Sequence, residues 1–313
     1  MLLSLIKSLV RALAVLLLVS FATFSLMFSN GTGIARSVLG LTATDEQVQA
    51  EVARLGLDRP LVVQYIDWLS GAVRGDLGSS YLTGQSVTEA LSSRVPVTLS
   101  LILITLLITT VISVLLGVTA ALYGGWIDRL VQFISVLGAA VPPFIVAIGL
   151  VFAFAIAVPY FPATGYIKAT DSVQGWIWAL TLPVLALIVG SVANAAAQFR
   201  GAVADTLSRD FVRTLRARGI PESQLVFRHV LRNAAGPGLV ALGLLTLGLF
   251  GGTLFIEEVF ALPGVGQLAN LSAQAGDVPM VMGTVIFVIV LVLVVNFLTD
   301  LLSAALNPKA RIR

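Results

Sequence analysis

Residues 210–237 read DFVRTLRARGIPESQLVFRHVLRNAAGP, the longest polar stretch to interrupt the apolar second half of the chain. Arg209, Arg213 and Arg216 recur at i, i+4 and i+7, so a helix stacks them on one face, while Phe211, Val212 and Leu215 form an apolar face across from them. Gly219 can take the left-handed conformation that closes a helix, and Pro221, unable to continue one, suits the first turn of the next. The stretch therefore predicts a helix, a sharp turn and a second helix over 208–235. Held between two apolar segments, such a basic amphipathic pair either docks on a partner or lies on anionic lipid, and its residues leave both open.

The composition says what surrounds it. With 58% apolar residues, 11% charged residues and a mean hydropathy of +0.99 over 313 residues, the chain departs from soluble domains, whose charged fraction is about 25%. It is read as an all-α polytopic membrane protein, with room for several spans of about 20 residues. The absence of cysteine removes disulfides, iron–sulfur ligation and thiol catalysis.

From the N-terminus, Lys7 and Arg11 precede an apolar run, and 1–28 is read as an uncleaved first span, because a polar SNGTG turn follows rather than a cleavage site. Residues 29–95 form a segment outside the membrane, read as extracytoplasmic, of which 40–95 are expected to pack as short helices over the outer mouth. The core, 96–306, holds five spans at about 97–123, 130–158, 175–199, 238–255 and 280–305, with a polar turn at 124–129 and a tail at 307–313. Pro142 and Pro143 must break or kink the span that contains them, which lipid tolerates only where protein or cavity water satisfies the freed carbonyls.

Orientation follows from the cations. If the termini and the 210–232 loop share a side, that side holds Lys7, Arg11, Arg129, the seven arginines of 200–232, Lys309, Arg311 and Arg313, thirteen of the nineteen Lys and Arg. That side is expected to be cytoplasmic.

Chemistry is sparse. None of the three lysines follows a glycine, so the GxxxxGK[ST] phosphate loop is missing. His229 is the single histidine, with no second ligand or base near it in sequence, and no nucleophile has a partner, so neither a metal site nor a membrane hydrolase is supported. An ion-coupled carrier usually needs ionisable groups at mid-membrane depth, yet spans two to five contain none and Asp300 lies near the end of the sixth. The polar groups inside spans are uncharged. Asn194 and Gln198 share a helix face, so these two are expected, with Pro142, Pro143, Gly251, Gly252 and Glu257, to line a solute path; the other reading is that both amides bond a neighbouring helix of the same chain.

Three separated motifs resemble one family. The sequence 210–219 with Arg228-His-Val-Leu-Arg-Asn233 and Pro237 resembles the cytoplasmic loop of ABC importer permeases of the oligopeptide/dipeptide/nickel type. Gly56-Leu-Asp-Arg-Pro60 through Leu69 with Gly75-Asp-Leu-Gly-Ser79, and Glu257-Glu-Val-Phe-Ala-Leu-Pro-Gly-Val-Gly266, are similar to segments of the same family outside the membrane. Arg213, Thr214 and Leu215 occupy the three positions that name the family's EAA motif, so its acidic first residue is absent. The resemblance implies a type I importer permease fold of six transmembrane helices in the inner (plasma) membrane of a prokaryote, with both termini cytoplasmic. It implies partners: a second homologous permease, two ATP-binding subunits that carry ATP and Mg, and an extracytoplasmic solute-binding protein, which residues 40–95 are expected to help receive. Nothing in the chain points to nucleic acid. It also implies that Phe211, Val212, Arg213, Leu215, Arg216, Gly219, Pro221 and Arg228 couple to the ATPases, and that the solute is a peptide, or alternatively haem, glutathione or a nickel chelate.

Overall fold

A computed structural model of the protein describes residues 2–40 and 42–306, so the expected tail at 307–313 and the side chains of Lys7 and Arg11 lie outside what is described. Among the described residues no strand forms; one isolated antiparallel bridge joins Ser79 and Ser86. Among the described residues four helices are long and apolar enough to cross a membrane, and up to six if each of two bent pairs counts as one span. The described residues divide into two compact units, those up to 98 with 263–293, and 99–262 with those from 294 onward.

The first unit starts with α1 (Leu2–Phe28), and a bend of 64° leads into α2 (Gly31–Leu39). Asn30 caps α2 by accepting from the Gly33 amide at 2.9 Å, and α3 (Asp45–Arg54) begins on a capping box between Thr44 and Gln47, each satisfying amides that the first helical turn leaves open. After α4 (Leu61–Val73), the long helix α5 (Val87–Tyr123) begins some ten residues before the span expected at 97, carrying Pro96 within it. Phe24, Phe28, Ile34, Val48, Tyr65 and Met282 share one apolar core. Two polar ties close the unit. Asp277, buried ahead of α13 (Val278–Leu306), accepts from the Ser80 hydroxyl and the Tyr81 amide, while Thr98 Oγ1 accepts from the Val265 amide at 2.9 Å and holds the start of α12 (Val265–Ala275).

The second unit is organised on α8 (Val173–Leu207), against which α6 (Gly125–Ala140), α7 (Pro143–Val151) and α11 (Leu231–Val259) pack. The close approach of α6 to α8 needs Gly138, where an added Cβ would stand 2.8 Å from the Ala193 Cβ. Within this unit α5 turns Leu101, Thr105, Thr109, Ser113 and Ala120 inward at four- and seven-residue intervals, leaving Leu107 and Leu115 exposed, the pattern of a helix with one side in apolar surroundings.

Two expectations are corrected. The turn at 124–129 shrinks to Gly124, the N-cap of α6, because Gly125–Arg129 already belong to that helix. The span expected at 130–158 is not one helix: Val141, preceding a proline, is extended (φ −89°, ψ 118°), and the chain resumes as α7 after a bend of 88°, ending in a π-helical turn at Phe152–Ala157. The residue before a proline is disfavoured in the α region and each proline nitrogen donates no hydrogen bond, so two in succession break the helix here, whereas the single Pro96, Pro183 and Pro237 stay inside continuous helices.

Candidate functional site: a polar cleft and an exposed helical hairpin

The cleft is built from three elements of the second unit. The break between α6 and α7 supplies Ala140, Pro142 and Pro143, α8 supplies Asn194 and Gln198, and α11 supplies Gly248 and Gly252, together enclosing a cavity of about 420 Å³. Its position follows from the sequence locally. The prolines end α6, α8 places its two amides one turn apart, and glycines on α11 leave room between helices. Asn194 Nδ2 donates to the Gly190 carbonyl of its own helix at 2.9 Å, and both amide side chains are exposed to the cleft rather than bonded to another helix among the described residues. A groove of about 510 Å³ on the other side of α6, between Ile112, Val131, Ser135 and Val189, is almost wholly apolar.

Of the expected path residues, Pro142, Pro143, Asn194, Gln198 and Gly252 converge on this cleft, while Gly251 is exposed one position away from it. Glu257 is a correction. It is 0% exposed, beside the equally buried Ile256 and near Phe260, and is engaged within the protein, so its side chain borders neither cavity. The Leu262 amide closes on the Glu257 carbonyl at 2.8 Å. A carboxyl withdrawn this far from water is tolerated only when held by protein groups, which makes it structural.

The hairpin consists of α9 (Asp210–Ala217), the turn through Gly219 at φ +75°, the single turn α10 (Glu222–Gln224), a π-helical turn over Leu225–Val230 and then α11, so the second helix runs on through Pro237 into the fifth span. Arg209 is the N-cap of α9 and stands before the helix rather than on its face. Arg216 Nε donates to Glu222 Oε2 at 3.1 Å across the turn, and the same contact holds the Arg216 guanidinium charged and raises its pKa. Arg213, Pro221 and Arg228 are exposed.

Val212 is the second correction. Sequence reasoning sets it on a surface that meets a partner, yet it is 0% exposed, covered by Val203, Leu225, Val226 and Val230 of its own chain, with Phe211 and Leu215 half-buried beside it. The apolar face of α9 is thus satisfied internally, and its basic and polar face is what remains on offer.

Two features were missed. Phe227 is 74% exposed on the π-helical turn, next to Arg228; an aromatic residue directly before Arg228 in a polar loop was a visible signal. Asp128 at the start of α6 and Arg200 in α8 form a two-pronged ion pair, Nε to Oδ1 at 2.8 Å and Nη2 to Oδ2 at 2.6 Å. Seventy-two positions apart, they share no sequence signal.

Comparison with known proteins gives the arrangement its context. Residues 113–312 match the family described as binding-protein-dependent transport system inner membrane component, and residues 1–102 match the N-terminal region of such membrane components. A Brucella abortus (strain 2308) chain, assigned by name to a peptide transport system permease, is 36% identical over 307 residues, 98% of each chain. The glutathione transport system permease protein GsiC of Escherichia coli O6:H1 is 32% identical over 98% of each chain. Among solved structures, the MetNI methionine ABC transporter in inward-facing conformations aligns with a TM-score of 0.56 at 20% identity, covering 69% of this chain and 96% of that one, which shows a shared fold.

Proposed function

Because the chain belongs to the family of binding-protein-dependent transport system inner membrane components, we propose that it is a permease subunit of an ATP-driven peptide importer and forms half of the solute path with a second, homologous permease. The observation that carries this reading is the cleft at the α6–α7 break, where uncharged amides and small residues gather within otherwise aliphatic spans. Two amides and a few freed backbone groups bind peptide polar atoms weakly, without the ionisable relay that ion coupling demands. Such a surface lets a solute pass without trapping it.

Work on the path comes from the hairpin. Two ATP-binding subunits, carrying ATP and Mg, engage the exposed face of 210–232 through Arg213, Arg216, Pro221 and Arg228, with Phe211 and Leu215 at its edge. The hairpin transmits force because its second helix is continuous with α11, which itself lines the cleft. The distribution of Lys and Arg supports a cytoplasmic hairpin and cytoplasmic termini, the family supports a prokaryotic inner membrane, and in this reading an extracytoplasmic binding protein delivers the solute to the opposite side. The relationship to GsiC makes glutathione, itself a tripeptide, the second reading.

The test is reconstitution of the chain with its permease partner, ATPases and binding protein in liposomes. ATP-dependent uptake of labelled di- to pentapeptides, insensitive to excess glutathione, is expected. Uptake of glutathione with no peptide uptake moves the assignment to the second reading, and solute uptake driven by an ion gradient without ATP overturns it.

A further inference from the structure

Helix α4 has two apolar faces, and the protein covers only one. On the covered face Tyr65 and Trp68 pack on α1, with the Tyr65 ring 5.1 Å from Phe21 and 5.4 Å from Phe24, and the Trp68 ring 5.8 Å from Phe24. The Tyr65 hydroxyl reaches 2.8 Å from Ser20 Oγ and 3.3 Å from the Leu17 carbonyl. These contacts fix a depth. Leu17 precedes the end of α1 at Phe28 by eleven residues, which at 1.5 Å per residue is about 16 Å along the helix, close to half of a hydrocarbon core of about 30 Å. One tyrosine side chain is too short to bridge that distance, so α4 itself lies below the level at which α1 leaves lipid.

The uncovered face carries Val62, Ile66 and Val73, exposed by 55%, 57% and 82%. At 100° per residue they fall within a narrow stripe, with Asp67, Ser70 and Arg74 along one flank. Asp67 is tied to Arg59 at 2.6 Å. On the neighbouring stretch of α1, Leu18 and Leu26 are likewise open, by 70% and 79%. Water at this depth would be in contact with two aliphatic surfaces at once.

We propose that α4 is an interfacial helix seated in the leaflet at the Phe28 end of α1, with Val62, Ile66 and Val73 immersed among lipid acyl chains and the Asp67–Arg74 flank at the headgroups. Residues 29–95 are then not wholly outside the membrane, because one helix of that segment anchors the rest to the bilayer. An apolar stripe flanked by charged residues is what holds a helix in the interface plane, and pairing Tyr65 with Ser20 satisfies polar groups that lipid would leave bare. The inference depends on α1 being a span and is independent of solute and coupling.

The natural absence of cysteine makes the test direct. Nitroxides are attached to Val62→Cys, Ile66→Cys, Val73→Cys, Ser70→Cys and Ser79→Cys variants of the full chain in lipid nanodiscs, and collision with oxygen is compared with collision with a water-soluble nickel chelate. Labels at 62, 66 and 73 are expected to meet oxygen freely and the chelate several-fold less than the label at 79, with 70 between. Equal chelate access at 62, 66 and 79 places the stripe in water and overturns the proposal. Exclusion of both reagents means that protein covers it, which overturns it equally.

Discussion

Val212→Ala tests whether the hairpin is held by its own chain. Val212 is fully buried among Val203, Leu225, Val226 and Val230, and the substitution deletes two methyl groups, a loss of about 1.6 kcal/mol of transfer free energy at about 0.8 kcal/mol per carbon, before any residual cavity is counted. Local opening of α9 needs only this cluster to separate, so the cost falls on the opening equilibrium rather than on the fold as a whole. At tenfold per 1.4 kcal/mol, the open population rises about fifteenfold. Arg213, Arg216 and Arg218 provide tryptic sites inside the segment that opens, and when closing outpaces cleavage the rate follows that population. In detergent-solubilised protein, limited trypsinolysis of Val212→Ala is therefore expected to run about fifteen times faster than in the parent, with Ser223→Ala, a change at an exposed position, at the parental rate. Cleavage of Val212→Ala within about twofold of the parent refutes the reasoning, because the apolar face of α9 would then contribute nothing to holding the loop.

Gly138→Ala sets a methyl 2.8 Å from the Ala193 Cβ and 3.2 Å from the Val189 carbonyl oxygen, an overpacking of about 1–3 kcal/mol, and is expected to lower the melting temperature in detergent; an unchanged value shows that α6 and α8 are not in close contact there. A Cβ added at Gly219 meets nothing within 4 Å, so the cost of Gly219→Val lies chiefly in the positive φ, about 1–2 kcal/mol; loss of binding-protein-stimulated ATPase activity with normal membrane insertion is expected, and normal stimulation counts against the role given to the turn. The hydrogen bond from Arg54 holds the Glu51 carboxyl below its ordinary value of 4.5. A depressed carboxyl stabilises the folded state above that value and loses its contribution as pH falls through the folded pKa. The melting difference between the parent and Glu51→Gln should therefore be constant from neutral pH down to about 5 and vanish in stronger acid; a difference that grows on acidification contradicts the sign.

The sequence by itself determined whatever depends on neighbours along the chain. Hydropathy located the long apolar helices, Pro142-Pro143 marked the break that the structure shows at Val141, and Gly219 followed by Pro221 marked the hairpin turn, because helix formation and helix ending are set by local dihedral preferences and missing donors. The four-residue spacing of Asn194 and Gln198 put both on one face for the same reason. Tertiary structure alone decided what covered each face. Nothing local distinguishes Val212, buried by residues 225–230, from a residue awaiting a partner, nor Glu257, withdrawn into the protein, from a carboxylate at a solute gate. Asp128 and Arg200 find each other across seventy-two positions, and Tyr65 reaches Ser20 across forty-five, only because helix packing brings them together. Burial is a property of what packs on a surface, and in a membrane chain, where both lipid and protein can cover an apolar side chain, sequence pattern cannot say which of them does.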